Sequence, residues 1–215
     1  MTGSVAENPG RRQAEARLPK TQILDEVLRE KLVLASGSPR RAEILKAAGW
    51  AFETMAANID ESRGESEDAV PYVKRLAQSK AEAVAKRFPT SLVLGADTVV
   101  VVDSEILGQP RDPENARRML KVLSGKWHHV VTGVALMRAR ENRFVVDHET
   151  TRVRFGEMSA AEIDWYVATG EPLDKAGAYA VQGRAALFIE EIQGDYFNIV
   201  GLPVRLVYKL AHIIR

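Results

Sequence analysis

Leu32-Val-Leu-Ala-Ser-Gly-Ser-Pro-Arg-Arg41 is the stretch on which the reading of this chain turns. An apolar run, read as a strand over Val33–Ala35, stops at Ser36-Gly37-Ser38, and Pro39 opens a helical pattern. Ser38 is placed as the N-cap, Pro39 suits the first helical position, and Gly49 falls just past the end. Ile44, Leu45 and Ala48 give that helix an apolar face. Arg40 and Arg41 in its first turn are unfavourable by the dipole argument, because that end already carries partial positive charge. A cationic helix start with small residues and free N–H groups invites an anion, foremost a phosphate. Ser36 and Ser38 add hydroxyls, and the two arginines add guanidinium forks. The plainer reading is a capped surface helix with solvated arginines. The stretch is neither a P-loop nor a dinucleotide fingerprint, since GxxxxGK[ST] and GxGxxG are both absent.

Downstream, Leu92–Val102 is apolar enough for a central strand buried on both faces, yet it contains Asp97. A charge in such a run is costly unless a partner neutralises it or it faces a cleft. Asp97 is therefore a candidate base or metal ligand for phosphate chemistry, against the alternative of a strand-end aspartate in a turn. Between these segments the pattern gives a short strand over Phe52–Ala56, an acidic loop over Asn58–Glu67 and a long helix from Ala69 to Phe88. That helix has a stripe of Val73, Leu76, Ala77, Ala81, Val84 and Phe88. Lys80 falls on the stripe, either as a lysine snorkelling from an apolar face or as one aimed across a cleft at a phosphate. Glu61, in Ile59-Asp-Glu-Ser62, is either a solvated loop acid or a magnesium ligand, since such a site needs only one or two carboxylates plus phosphate oxygens.

Asp112-Pro113 opens another helix that Gly125 closes. Trp127–Met137 and Arg143–Phe155 read as long strands joined at a polar turn, and Ser159 with Glu162 forms a capping box before a helix ending at Gly170. Ala176–Gly183 is a loop of small residues that permits close backbone approach to a ligand, and Gln182 in it could read a base edge through its amide. Leu187–Ile192 is a strand, Gly194–Pro203 a second glycine-bounded loop, and Pro203–Ile214 an amphipathic helix. Strands alternating with helices, with some hairpins, imply an α/β fold with a mixed sheet. Residues 1–20 are polar and aperiodic, a tail expected to be disordered, and Thr21–Glu30 suits a short helix.

The chain has 215 residues, 46% hydrophobic and 27% charged, as one ordinary globular domain would. Thirty basic against 29 acidic residues leave a net charge of +1, without the excess that broad nucleic-acid binding requires. There is no cysteine, which excludes disulfides, thiol catalysis and cysteine-ligated zinc. No apolar run approaches the roughly 20 residues of a membrane span, and no secretory signal is evident, so a cytoplasmic protein is expected. His128, His129, His148 and His212 show no metal spacing and receive no catalytic role. Trp50, Trp127 and Trp165 are expected to pack rather than to stack on bases.

Together LASGSPRRAEIL, the IDE loop, RLAQSKA, LGADTVV, RDPENARRML, LSGKWHHVVTGVAL, PLDKAGAYAVQG and VGLP resemble, in order, the Maf family of nucleoside triphosphate pyrophosphatases. The resemblance runs from about Lys31 to the C-terminus. It divides the chain into an N-terminal extension (1–30) and a pyrophosphatase domain (31–215). It implies a mixed twisted sheet with flanking helices, two lobes around a cleft, as in the inosine-triphosphate pyrophosphatases, and commonly a homodimer. It also implies cleavage of the α–β phosphoanhydride of a nucleotide with a divalent metal, Mg2+ or Mn2+. The family's general base falls on Asp97, its phosphate-binding serine and arginine on Ser38 and Arg41, its acidic loop residue on Glu61 and its helix lysine on Lys80. Glu61 and Asp97 would hold the metal, and Ser36 would shape the turn and touch phosphate secondarily. Arg40, Thr98 and Gln182 match the branch acting on dTTP and UTP, rather than the 7-methyl-GTP branch. One departure is Gln109 in Leu107-Gly-Gln-Pro110, where the family usually has a lysine; glutamine donates hydrogen bonds but carries no charge. That departure keeps open a non-catalytic nucleotide-binding regulator of cell division, since the family is also linked to septum formation. The same reaction with another base preference, for modified pyrimidine nucleotides in a house-cleaning role or for 7-methyl-GTP, is a further alternative.

Overall fold

The computed structural model describes residues 26–215; the tail and the start of the helix expected over 21–30 lie outside the described residues. Seven strands form one mixed sheet: β1 (Leu32–Leu34), β2 (Phe52–Thr54), β3 (Leu92–Val102), β4 (Glu105–Leu107), β5 (Trp127–Arg138), β6 (Arg143–Phe155) and β7 (Ile189–Gln193). Their order is β2-β1-β3-β5-β6-β7, with β4 also on β3. The β1–β2 and β1–β3 pairs are parallel and the rest antiparallel. The helices are α1 (Pro39–Ala47), α2 (Ala69–Ala85), α3 (Pro113–Leu123), α4 (Ala160–Ala168), α5 (Tyr196–Val200) and α6 (Val204–Ile213).

Three long strands run through two separate cores. The first half of β3 (Leu92, Leu94, Ala96) packs with Ile44 and Leu45 of α1 and Leu206 and Leu210 of α6. Its second half (Val100, Val102) packs with Leu120 and Leu123 of α3, Phe155, and Tyr166 of α4. These are the two lobes, and Asp97 and Thr98 lie at their junction. On the opposite face Val93 and Val99 meet α2 through Ala77, Ala81 and Val73. Alternation along the strand therefore aims Asp97 towards α2 and Thr98 towards α1.

The pairing registers explain why a cleft opens here. β1 ends at Leu34, opposite Leu94, and β4 begins pairing at Val100, opposite Leu107. Between them, the edge of β3 from Gly95 to Val99 has no strand neighbour on that side. Two glycines bring α2 onto the sheet at this level. A Cβ on Gly95 would lie 2.0 Å from the Ala77 carbonyl oxygen, and one on Gly133 would lie 2.3 Å from that of Val73. Glycine inside a strand often marks such a backbone approach.

Most elements match the sequence pattern, and the differences have local causes. Strand β4 follows a two-residue turn in which Asp103 and Ser104 have φ of +47° and +68°. This is type I′-like geometry without its usual Asn-Gly signal. Residues Gly194–Pro203 are not a plain loop: Asp195 accepts a 2.8 Å bond from the Phe197 amide and caps the short helix α5, which ends at Gly201 with φ +118°. The last strand is shifted to Ile189–Gln193 because Arg184–Leu187 winds into a 3-10 turn. Ser38 occupies the N-cap position of α1 but makes no side-chain cap bond.

Candidate active site

A cavity of about 630 Å³ lies between the lobes and contains Ser36, Ser38, Arg40, Arg41, Glu61, Lys80, Asp97, Thr98, Gln109 and Gln182 in its walls. Every site residue expected from the sequence is thus brought to one place. On the α2 side, Lys80 Nζ donates to Asp97 Oδ1 at 2.7 Å and lies 2.9 Å from Glu61 Oε1. Lys80 is buried, so its position on the apolar stripe serves an ion pair rather than a snorkelling head group. Burial is the largest influence on Asp97 and raises its pKa above the ordinary aspartate value; Lys80, and after it Arg41, pull it back down. The Glu61 loop is tied to α2: Tyr72 donates its hydroxyl to the Glu61 carbonyl at 2.7 Å, and Arg75 donates to the Ser62 carbonyl at 3.0 Å.

On the α1 side, Arg41 spends its fork on neutral acceptors. Nε donates to the Gly201 carbonyl at 2.8 Å, Nη1 to Ser36 Oγ at 3.1 Å and Nη2 to Thr98 Oγ1 at 3.2 Å. Burial lowers its pKa from the usual arginine value, though a guanidinium keeps its charge in proteins. Among the described residues no carboxylate lies within ion-pair distance of it. A half-buried cation whose direct hydrogen bonds all go to neutral acceptors favours an incoming anion. Ser36 also accepts from the Ser38 amide at 3.2 Å, so it shapes the turn. Ser38 spends no cap bond on the amides of the first turn of α1, which leaves those donors for a ligand.

Thr98 is held from behind. Its hydroxyl lies 2.9 Å from Thr132 Oγ1, and Thr132 donates to the Asn198 carbonyl at 3.3 Å. Asn198 in turn donates its side-chain amide to the Val130 carbonyl and to Thr151. The Thr98 hydroxyl is therefore engaged with Arg41 and Thr132 in this arrangement. Arg40 sits at the rim, donating from Nη1 to Asp174 Oδ2 at 2.9 Å and from Nη2 to the Asp174 carbonyl at 3.2 Å. Gln109 Nε2 donates to the same carbonyl at 3.3 Å. Gln182 is exposed on the cavity wall.

Sequence reading passed over Asp174, Gly95, Gly133, Tyr72 and Thr132. The two glycines had a signal, each standing inside an otherwise apolar strand. The others had none, because their roles depend on which strands and loops meet. His128, given no catalytic role, is fully buried and lies 2.8 Å from the Tyr179 hydroxyl, with burial pushing its pKa down to about 3. Trp50 is buried, Trp127 lies under the Arg152 guanidinium, and Trp165 is largely exposed. The cavity's carboxylates that share Lys80 are two, and no group of three or more His, Cys, Asp or Glu with metal-binding spacing exists among the described residues. Such a donor set fits a hard cation completed by a ligand's own oxygens.

The α/β fold thus places a cleft at the junction of two lobes, with cations on both walls and a buried carboxylate between. The Maf-like protein family matches residues 31–213, and the chain belongs to that family. It is 52% identical over 181 residues to a dTTP/UTP pyrophosphatase of Symbiobacterium thermophilum, covering 84% of this chain and 92% of the relative. A protein of the same description from Bacillus cytotoxicus is 50% identical over 84% of this chain and 94% of its own length. Among solved structures, the Staphylococcus aureus Ham1 protein superposes with a TM-score of 0.52 at 14% identity, over 86% of this chain and all of that one. That likeness is one of fold, and it agrees with the α/β fold with a mixed sheet and flanking helices expected from the sequence. No helix among the described residues is long and apolar enough to cross a membrane.

Proposed function

We propose that this chain hydrolyses dTTP and UTP at the α–β phosphoanhydride, releasing the nucleoside monophosphate and pyrophosphate. The observation that carries the reading is the Lys80-bridged pair of Asp97 and Glu61 facing the carboxylate-free Arg41 across one cavity. The identity to curated dTTP/UTP pyrophosphatases over most of the chain supports the choice of reaction and of bases.

In this reading Arg41, Ser38 and the first-turn amides of α1 bind phosphate oxygens and fix the triphosphate in the edge gap of β3. Asp97 Oδ1 is engaged by Lys80, which leaves Oδ2 to orient the attacking water and accept its proton. Burial keeps that carboxylate more basic than an exposed aspartate, which suits a general base. Water adds to the α-phosphorus, the bond to the bridging oxygen breaks, and pyrophosphate leaves with that oxygen. Lys80 and Arg41 are placed to stabilise the charge that develops, the largest contribution expected in phosphoryl chemistry. Glu61 and Asp97 would hold a magnesium or manganese ion, which when bound neutralises phosphate charge and orients the chain of phosphates. Gln182, from the opposite lobe, offers an amide donor and acceptor suited to the N3–H and carbonyl edge of uracil or thymine.

The test is pyrophosphate release by the purified protein with magnesium, across standard and methylated nucleoside triphosphates. Release from dTTP and UTP, reduced about 100-fold or more in Asp97→Asn, is the expected result. Full activity in folded Asp97→Asn would refute the assignment of the base, and preference for 7-methyl-GTP would refute the pyrimidine assignment.

A further inference from the structure

The cleft holds four cations, Arg40, Arg41, Lys80 and Lys175, and three carboxylates, Glu61, Asp97 and Asp174. Lys80 is committed to Asp97 and Glu61, and Arg41 is fixed by neutral acceptors. Lys175 and Arg40 share one carboxylate, that of Asp174: Arg40 takes Oδ2, and Lys175 Nζ takes Oδ1.

The exposures within this cluster are unequal. The side chain of Asp174 is 65% exposed, whereas those of Arg40 and Lys175 are 22% and 15% exposed. The cations are embedded in the wall and the carboxylate stands in the opening. Each cation also has a second anchor. Lys175 Nζ donates to the Glu171 carbonyl at 3.3 Å, and Arg40 Nη2 donates to the backbone carbonyl of Asp174. If the Asp174 side chain rotates into solvent, both cations stay where they are. Solvent-exposed ion pairs are weak, so a polyanion carrying several charges competes for them easily.

We propose that Lys175 is a phosphate-binding residue of this cleft, and that Asp174 is its exchangeable counter-ion, displaced when a polyphosphate enters. The inference rests on the nucleotide reading above and adds to it a residue from the second lobe. Lys175 supplies from the rim a charge that the neighbouring Gln109 lacks. Its backbone position is fixed by the fold: Gly177 holds φ +68°, and its amide donates to the Gly108 carbonyl at 3.0 Å, so the lysine loop and the Gln109 loop are stitched together. On entry of a polyphosphate, its oxygens would replace the Asp174 carboxylate on Lys175 and Arg40.

The experiment is calorimetric titration of inorganic tripolyphosphate into the full chain and into Lys175→Met, Lys175→Arg and Asp174→Asn, with dTTP turnover measured in parallel. Lys175→Met is expected to weaken tripolyphosphate binding about ten-fold or more, since a charge-assisted bond is lost. Lys175→Arg should keep most of the affinity. Asp174→Asn should bind about two- to five-fold tighter, because the competing carboxylate is gone and both second anchors remain. That opposite sign separates phosphate binding from a structural salt bridge, whose loss would weaken binding in either variant. It also decides the matter if Lys175→Met fails to fold. Affinity unchanged in folded Lys175→Met, weaker binding in Asp174→Asn, or no binding by the wild type each overturns the proposal. Tripolyphosphate binding with the expected pattern but no turnover of any nucleotide supports Lys175 while refuting the enzymatic reading. Turnover that is indifferent to Lys175 does the reverse.

Discussion

Replacing Gly95 with alanine tests how the sheet and helix α2 place Lys80. The added Cβ would lie 2.0 Å from the Ala77 carbonyl oxygen and 2.8 Å from the Ala81 amide, where real Cβ contacts essentially never fall below 3.0 Å. Both atoms are helix backbone, so no side chain can swing aside, and α2 must retreat by roughly 1 Å, an overpacking cost of about 1–3 kcal/mol. For a chain of this size that corresponds to a fall in Tm of about 2–12 °C. The retreating turn is the one that carries Lys80. Its Nζ now sits 2.7 Å from Asp97 Oδ1, and a shift of about 1 Å takes it past hydrogen-bonding distance unless the lysine stem extends. A misplacement of that size costs about 100-fold in turnover in the general case. The assay is a thermal melt followed by pyrophosphate release from dTTP below the variant's melting range. A Gly95→Ala protein with wild-type Tm and wild-type kcat would refute the close approach of α2 and with it the account of how Lys80 is positioned.

Three further outcomes follow from the geometry. If Asp97 is the base, turnover needs its ionised form, and its raised pKa moves the loss of activity on acidification to higher pH than an ordinary aspartate would give; a rate that stays flat down to about pH 4 would exclude this. Arg41→Lys leaves at least one of Gly201 O, Ser36 Oγ and Thr98 Oγ1 without its donor, with an expected stability loss of about 1–3 kcal/mol and weaker triphosphate binding, read by melts and titration. His128 has its folded pKa lowered to about 3 from 6.5. Between those values the unfolded chain binds the proton that the folded chain refuses, so stability falls as the pH is lowered through that window. The difference between wild type and a folded His128→Gln variant in denaturant titrations should then change by about 1.4 kcal/mol per pH unit below pH 6, and a constant difference would contradict the buried neutral imidazole.

The candidate site was legible to the extent that local sequence chemistry is local. The arginines in the first turn of α1, the aspartate inside an apolar strand and the lysine on an apolar stripe each violate a rule of burial or dipole, and violations of that kind mark sites. Glu61 was legible only through the resemblance, because an exposed acid in a loop breaks no rule. The extents of β3, β5 and β6 followed from hydrophobic patterning with turn signals. The hairpin strand β4 and helix α5 did not, being three and five residues long and closed by Asp103-Ser104 and Asp195 rather than by stronger signals.

The sequence by itself determined the α/β class, the long strands, the strand-to-helix turn at Ser36–Arg41 and the conflict between Asp97 and its apolar surroundings, since these depend on neighbours within a few residues. The tertiary structure alone decided that β1 stops at Leu34 while β4 starts opposite Val100, leaving one stretch of β3 edge open between two lobes. It alone set Asp97 against Lys80 on one face and Thr98 against Arg41 on the other, and brought Asp174 and Lys175 to the same mouth from about 135 residues away along the chain. Register, helix approach at Gly95 and Gly133, and long-range ion pairing are properties of segments packed together, and no single segment carries them.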